Sequence, residues 1–189
     1  MPTRKRSNKE IAFTMLKEDH DNVKELFDRF EEPNTTAAAK AEIVTTVLEE
    51  LKIHATVEEQ LFYPALRQHM EDDDLMEEAD EEHHVAKILI AELEQMKGTE
   101  DNWEAKFMVL AENVRHHIKE EEREIFPQAG ETDIDFEALG VQMAELKEVL
   151  KAEGVPENEE SEMVRANGLR EESPAKKAQQ TLKTPVKAA

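Results

Sequence analysis

His54-Ala-Thr-Val-Glu58-Glu59-Gln-Leu-Phe62-Tyr63-Pro64 returns later in the chain as His117-Ile-Lys-Glu-Glu121-Glu122-Arg-Glu-Ile-Phe126-Pro127. Both copies read histidine, three residues, Glu-Glu, an apolar pair and proline. On a helix, residues four apart share a face about one turn from each other. Each copy therefore aims an imidazole and a carboxylate the same way, at a separation one metal centre can span. Two copies predict two helices facing a shared metal site.

The surrounding stripes place that pair inside a core. Val47, Leu51, His54, Glu58 and Leu61 run at spacings of four, three, four and three, and Phe107, Leu110, Val114, His117, Glu121 and Ile125 form the matching stripe later on. A histidine and a glutamate thus replace two successive core residues in each helix. A buried carboxylate without a partner costs several kcal/mol or takes up a proton. A metal ion is the simplest partner for both.

Two more stripes carry one inward histidine each. Phe13, Leu16, Val23, Phe27 and Phe30 leave a single gap, which His20 fills. Met76, Ala79, His83, Ala86, Ile90 and Leu93 are continuous through His83, which is preferred over its neighbour His84. Asp19, Asp21, Glu82, His69 and His116 read as surface residues, with Asp19 in reach of a supporting role and Lys87 able to border the site. Pro64 and Pro127 should kink or end their helices, with Phe62 and Tyr63 capping the bundle.

The first helix is expected from residue 8 or 9 to before Pro33, and Pro33-Asn34-Thr35-Thr36 is a turn with an N-cap threonine. Gly98-Thr99 turns the chain between the third and fourth helices. The short connections predict an all-α, up-down-up-down four-helix bundle. The expected organisation is a basic extension over 1–8, the bundle over 9–130 and an additional amphipathic helix within 131–153. A disordered tail, basic at its end, follows over 154–189.

Composition agrees. The 189 residues fit one domain with tails, and 5 Gly with 5% aromatic residues favour long helices over a sandwich or barrel. No apolar run approaches the ~18 residues needed to cross a membrane, and the basic start leads into no apolar signal region. The expectation is a cytoplasmic protein with no membrane partner. Without cysteine, disulfides and thiolate metal sites are excluded. The net charge is −21, yet residues 163–189 carry six basic and two acidic side chains, so the rest carries −25. The acidic body repels nucleic acid; the basic tail reads first as a solubilising tail with no specific partner, with nucleic acid or another acidic partner as the alternative.

His20, His54, Glu58, His83, His117 and Glu121 make six nitrogen and oxygen donors, more than one zinc ion takes. They suit two metals ~3.5–4 Å apart with Glu58 and Glu121 as bridges. Nitrogen-rich ligation with carboxylate favours iron, with manganese or zinc possible.

Lys17-Glu-Asp19-His20-Asp21, the His54 and His117 motifs, and Glu82-His83-His84 stand in an order that resembles the haemerythrin-like (HHE cation-binding) domain over about residues 10 to 130. The resemblance implies a four-helix bundle around a non-haem di-iron site that meets O2 or another small oxidant. It also implies oxygen carriage, sensing of oxygen, iron or redox state, or a stress response. O2-carrying members place a second histidine one turn after the third-helix ligand, where this chain has Lys87. They also place an aspartate five residues after the fourth-helix histidine, where this chain has Glu122; Glu121 is the better ligand candidate. These departures point away from reversible O2 carriage and toward sensing or handling of O2, peroxide, NO or iron. A small di-iron peroxidase or oxidase, and a metal-independent helical interaction protein with a basic tail, are the alternatives. No acid/base or substrate-binding motif is visible, so binding or sensing is favoured over turnover.

Overall fold

A computed structural model of the chain describes residues 10–70 and 73–168. Four long helices form the bundle: α1 (Glu10–Glu31), α2 (Ala37–Val57), α3 (Asp73–Glu94) and α4 (Trp103–Glu120). Thr36 caps α2 by accepting the Ala39 N–H at 3.2 Å, as its position after the Pro33 turn requires. Gly98, at φ +79°, makes the turn between α3 and α4. No described helix is long and apolar enough to cross a membrane.

The prolines do not end their helices. Each is preceded by a π-helical turn, Glu58–Phe62 after α2 and Glu121–Ile125 after α4. Helix then continues through Tyr63–Arg67 and Phe126–Gly130. A proline has no N–H and its ring collides with the carbonyl four residues back. Lengthening the ladder by one residue relieves both problems. The Tyr63 N–H accordingly bonds the Glu58 carbonyl and the Phe126 N–H bonds that of Glu121, each five residues back. After the π turn the inward face lies one position further on. Phe62 and Tyr63 are therefore fully buried, and Leu61, the expected stripe residue, is only partly so.

The core is two apolar clusters. One holds Val23, Phe27, Phe30, Leu51, Phe107 and Leu110; the other holds Leu16, Val57, Phe62, Leu66, Phe126 and Met143. In α1, α2 and α4 the candidate donors fall between residues of the two clusters, so a polar layer separates them.

α5 (Phe136–Glu153) buries Phe136, Leu139, Met143 and Leu150 in the second cluster, chiefly against α1 and α2. Gly140 lets it approach closely, because a Cβ there would stand 2.8 Å from the Ala12 backbone nitrogen. α6 (Glu159–Asn167) packs on α3 with Val164 buried. Composition had placed that stretch with the tail; Asn158 caps it by accepting the Ser161 N–H at 2.9 Å. Residues 1–9 and 169–189, which include the basic extension and the basic end, lie outside the described residues.

Candidate metal centre

All six candidate donors are buried, and Glu58 and Glu121 are 0% exposed. They fall into two groups whose donor atoms converge: His20, His54, Glu58 and Glu121, and Glu58, His83 and His117. Glu58 belongs to both. Glu121, expected to bridge as well, sits in the first group only. His84 faces outward and meets Glu160 at 2.9 Å.

The first group has separations that its hydrogen-bond geometry does not explain. His20 Nε2 lies 3.1 Å from Glu121 Oε2, and His54 Nε2 lies 3.1 Å from Glu58 Oε1. Yet His20 Nε2, His54 Nε2, both Glu58 oxygens and Glu121 Oε2 are buried with no hydrogen-bond partner. Buried polar atoms are almost always paired. Orphans clustered this closely, on imidazoles and carboxylates without any thiolate, fit a cation that they would share.

Carboxylates stand at the outer edge of all four imidazoles and are hydrogen-bonded to three of them. His20 Nδ1 meets Glu122 at 3.0 Å, His83 Nδ1 meets Glu59 at 2.9 Å, and His117 Nδ1 meets Glu82 at 2.9 Å. Asp19 stands 3.5 Å from His54 Nδ1, within ion-pair reach but not hydrogen-bonded to it. A carboxylate can only accept, so it holds the proton on Nδ1 and leaves Nε2 facing inward. On the sequence Glu82 reads as solvated, and Asp19 as a surface residue in reach of a supporting role. Each immediately precedes an inward histidine, and that adjacency was the available signal. Three clamps are themselves held by lysines: Glu59 by Lys87 at 2.7 Å, Glu122 by Lys24 at 3.6 Å, and Asp19 by Lys147 of α5. Lys87, where the resemblance expected a histidine, is thus committed to a clamp. Glu82 instead faces His116, at 3.5 Å.

Tyr63 does not cap the bundle. Its hydroxyl is 3.4 Å from His83 Nε2, 3.3 Å from His117 Nε2 and 3.5 Å from Glu121 Oε1. The π turn brings it there, since an inward residue after Glu58 falls five positions on rather than four. In the other copy that position is Phe126, which stacks on His20 at 5.9 Å with 5° between planes.

The pKa directions show strong mutual dependence. Burial opposes a charge on His54, but Glu58 and Asp19 outweigh it and push its pKa up to about 10. Burial likewise opposes the charge on His117, where Glu82 and Glu121 prevail and raise it. Glu58 is held well below the usual range: burial raises it, and His54, His83 and His117 overcome that. Burial, then repulsion from Glu58, raises Glu121. Burial and the Glu121 and Glu58 charges keep the Tyr63 phenol protonated well above its ordinary value. Protons on the imidazoles thus do the charge balancing that a cation would do.

The model of the hemerythrin HHE cation-binding domain matches residues 12–129. The crystal structure of a hemerythrin HHE cation-binding domain-containing protein from Mycobacterium kansasii is similar, with 28% identity and a TM-score of 0.62. The alignment covers 76% of this chain and 93% of that one. No curated protein matches.

Proposed function

The chain belongs to the hemerythrin HHE cation-binding domain family, and from that premise we propose that it holds two iron ions and senses or handles O2, peroxide, NO or iron in a redox or stress response. The observation that carries this is the set of orphaned, converging donor atoms between two apolar clusters. His20, His54, Glu58 and Glu121 would hold one ion; Glu58, His83 and His117 would hold the other, with the Tyr63 hydroxyl in reach. Iron there would supply one-electron chemistry and affinity for small oxidants. The clamped imidazoles supply preset orientation, and the apolar clusters exclude bulk water. Manganese or zinc would fit the same donors less specifically.

Protein produced in iron-supplied cells should show a visible absorption band that changes on reduction and returns in air. His54→Ala and Glu58→Ala should lose both the band and the metal; full retention in both would end this reading. Tyr63 favours a second reading, a small peroxidase or oxidase, because a phenol beside the metal can hand over a proton and an electron. Steady-state turnover with peroxide separates the two, since a sensor reacts once and stops.

A further inference from the structure

A cavity of about 60 Å³ reaches the imidazole layer from the cleft between α2 and α3. Its interior is mostly apolar, with Val23, Leu51, Ala86, Ile90, Val114 and Ile118 above the histidines; Asn113, whose Oδ1 is buried without a partner, is the polar exception among them. That room holds a molecule of a few heavy atoms at most. Val155 and Asn158 also line it, and both lie beyond the family match, which ends at residue 129. They belong to a strap that leaves α5 at Gly154 and is fastened to α3 by α6, with Glu160 meeting His84 at 2.9 Å.

The charge at this mouth has an acidic excess. Outside Asn158 the surface depression is lined by Glu157, Glu159, Glu160, Glu162 and one cation, Lys87. Lys87 is already paired with Glu59, and Lys52, the other rim lysine, is paired with Glu94 at 2.6 Å. Glu157 is itself paired with Arg165 at 2.6 and 2.8 Å, and Glu160 meets His84. An anion approaching the mouth thus meets the carboxylates of Glu159 and Glu162, which have no ion-pair partner among the described residues, and no free ammonium among these residues. A small neutral molecule meets a narrow, largely apolar passage.

We propose that residues 154–162 form an acidic strap over the entrance, which admits small neutral molecules such as NO, O2 or hydrogen peroxide and turns away anions. This rests on the metal reading above and narrows its ligand class. Fixed charge at a cleft mouth changes association rates, and salt screens the effect.

The test uses the full chain. With the metal-free protein, xenon should shift the methyl resonances of Val23, Leu51, Ile90, Val114 and Ile118; no shift would overturn the proposal whether or not iron binds. With the iron-loaded protein, association is followed for azide on the oxidised form and NO on the reduced form, each compared only with itself. Raising salt, or replacing Glu159 and Glu162 by Gln while Glu160 and the Glu157–Arg165 pair keep the strap fastened, should speed azide by about tenfold. NO should stay within about twofold. Equal responses of azide and NO, or none from azide, would overturn the charge filter. Val155→Trp narrows the mouth without altering charge and should slow both probes; unchanged NO entry would place the route elsewhere and end the proposal. Absence of iron from the protein would overturn the metal reading and, with it, the assignment of ligands, while the xenon result would still judge the cavity.

Discussion

The two halves of the centre are built alike and finished differently. In one, α1 supplies Asp19-His20, α2 supplies His54, and the π turn after it supplies Glu58 and Glu59, with Tyr63 following. In the other, α3 supplies Glu82-His83, α4 supplies His117, and the π turn after it supplies Glu121 and Glu122, with Phe126 following. The clamps obey a common rule: the acid before each single histidine holds the imidazole of the next helix, as in Asp19–His54 and Glu82–His117. The second glutamate of each motif holds a single histidine, Glu59 that of α3 and Glu122 that of α1. The differences lie in three places. Glu58 serves both donor groups and Glu121 one. A phenol stands by His83 where a phenyl ring stacks on His20. Lys147 holds Asp19, while Glu82, besides clamping His117, meets His116 and is paired with no lysine among the described residues. A repeated motif therefore makes an unsymmetrical site, with the phenol beside the group that has fewer donors.

The largest expected effect follows from the unequal glutamates. Glu58→Ala should leave less than one metal per chain, whereas Glu121→Ala should retain about one; elemental analysis of both variants decides it. Equal losses would mean that the halves share both carboxylates. Next comes proton competition. In the metal-free protein a His54 pKa of about 10 against an ordinary 6.5 gives stability that is fully present below 6.5 and lost as pH rises toward 10. Metal must displace that proton, so apparent metal affinity should rise by up to about tenfold per pH unit in this window. A flat competition titration would show that His54 is not a ligand.

Smaller effects sharpen the other two differences. Lys147→Met should lower the urea-unfolding stability of the metal-free chain by about 1–3 kcal/mol and loosen metal, while Lys24→Met, acting on the longer and more exposed pair, should cost less. Tyr63→Phe makes the halves match; metal content should stay and the visible spectrum should shift, and an unchanged spectrum would leave the phenol outside the metal's reach. Gly140→Ala should be mildly destabilising although alanine favours helix by about 1 kcal/mol, because its Cβ would press on the α1 backbone at 2.8 Å.

The four stripes were legible because an amphipathic bundle writes its core at helical spacing, and six histidines and glutamates falling in the stripes were visible as interruptions. Hidden from that spacing was anything that changes it. The π turns shifted the face by one residue, which moved Tyr63 into the centre and left Leu61 at its edge. Proline in both motifs was the one hint, and it reads equally as a helix end. Asp19, Glu59, Glu82 and Glu122 lie off the stripes, where sequence spacing cannot separate a clamp from a solvated acid. Lys147 was out of reach for another reason: its partner is 128 residues away. α6 is short and polar, and only its docking on α3 marks it as part of the fold.

The most direct measurement is an anaerobic titration of the metal-free protein with Fe(II), following bound metal and thermal unfolding together. The account predicts saturation at two ions per chain and a clear rise in melting temperature that a chelator reverses. No saturable binding, with a bundle as stable before chelation as after, would contradict it.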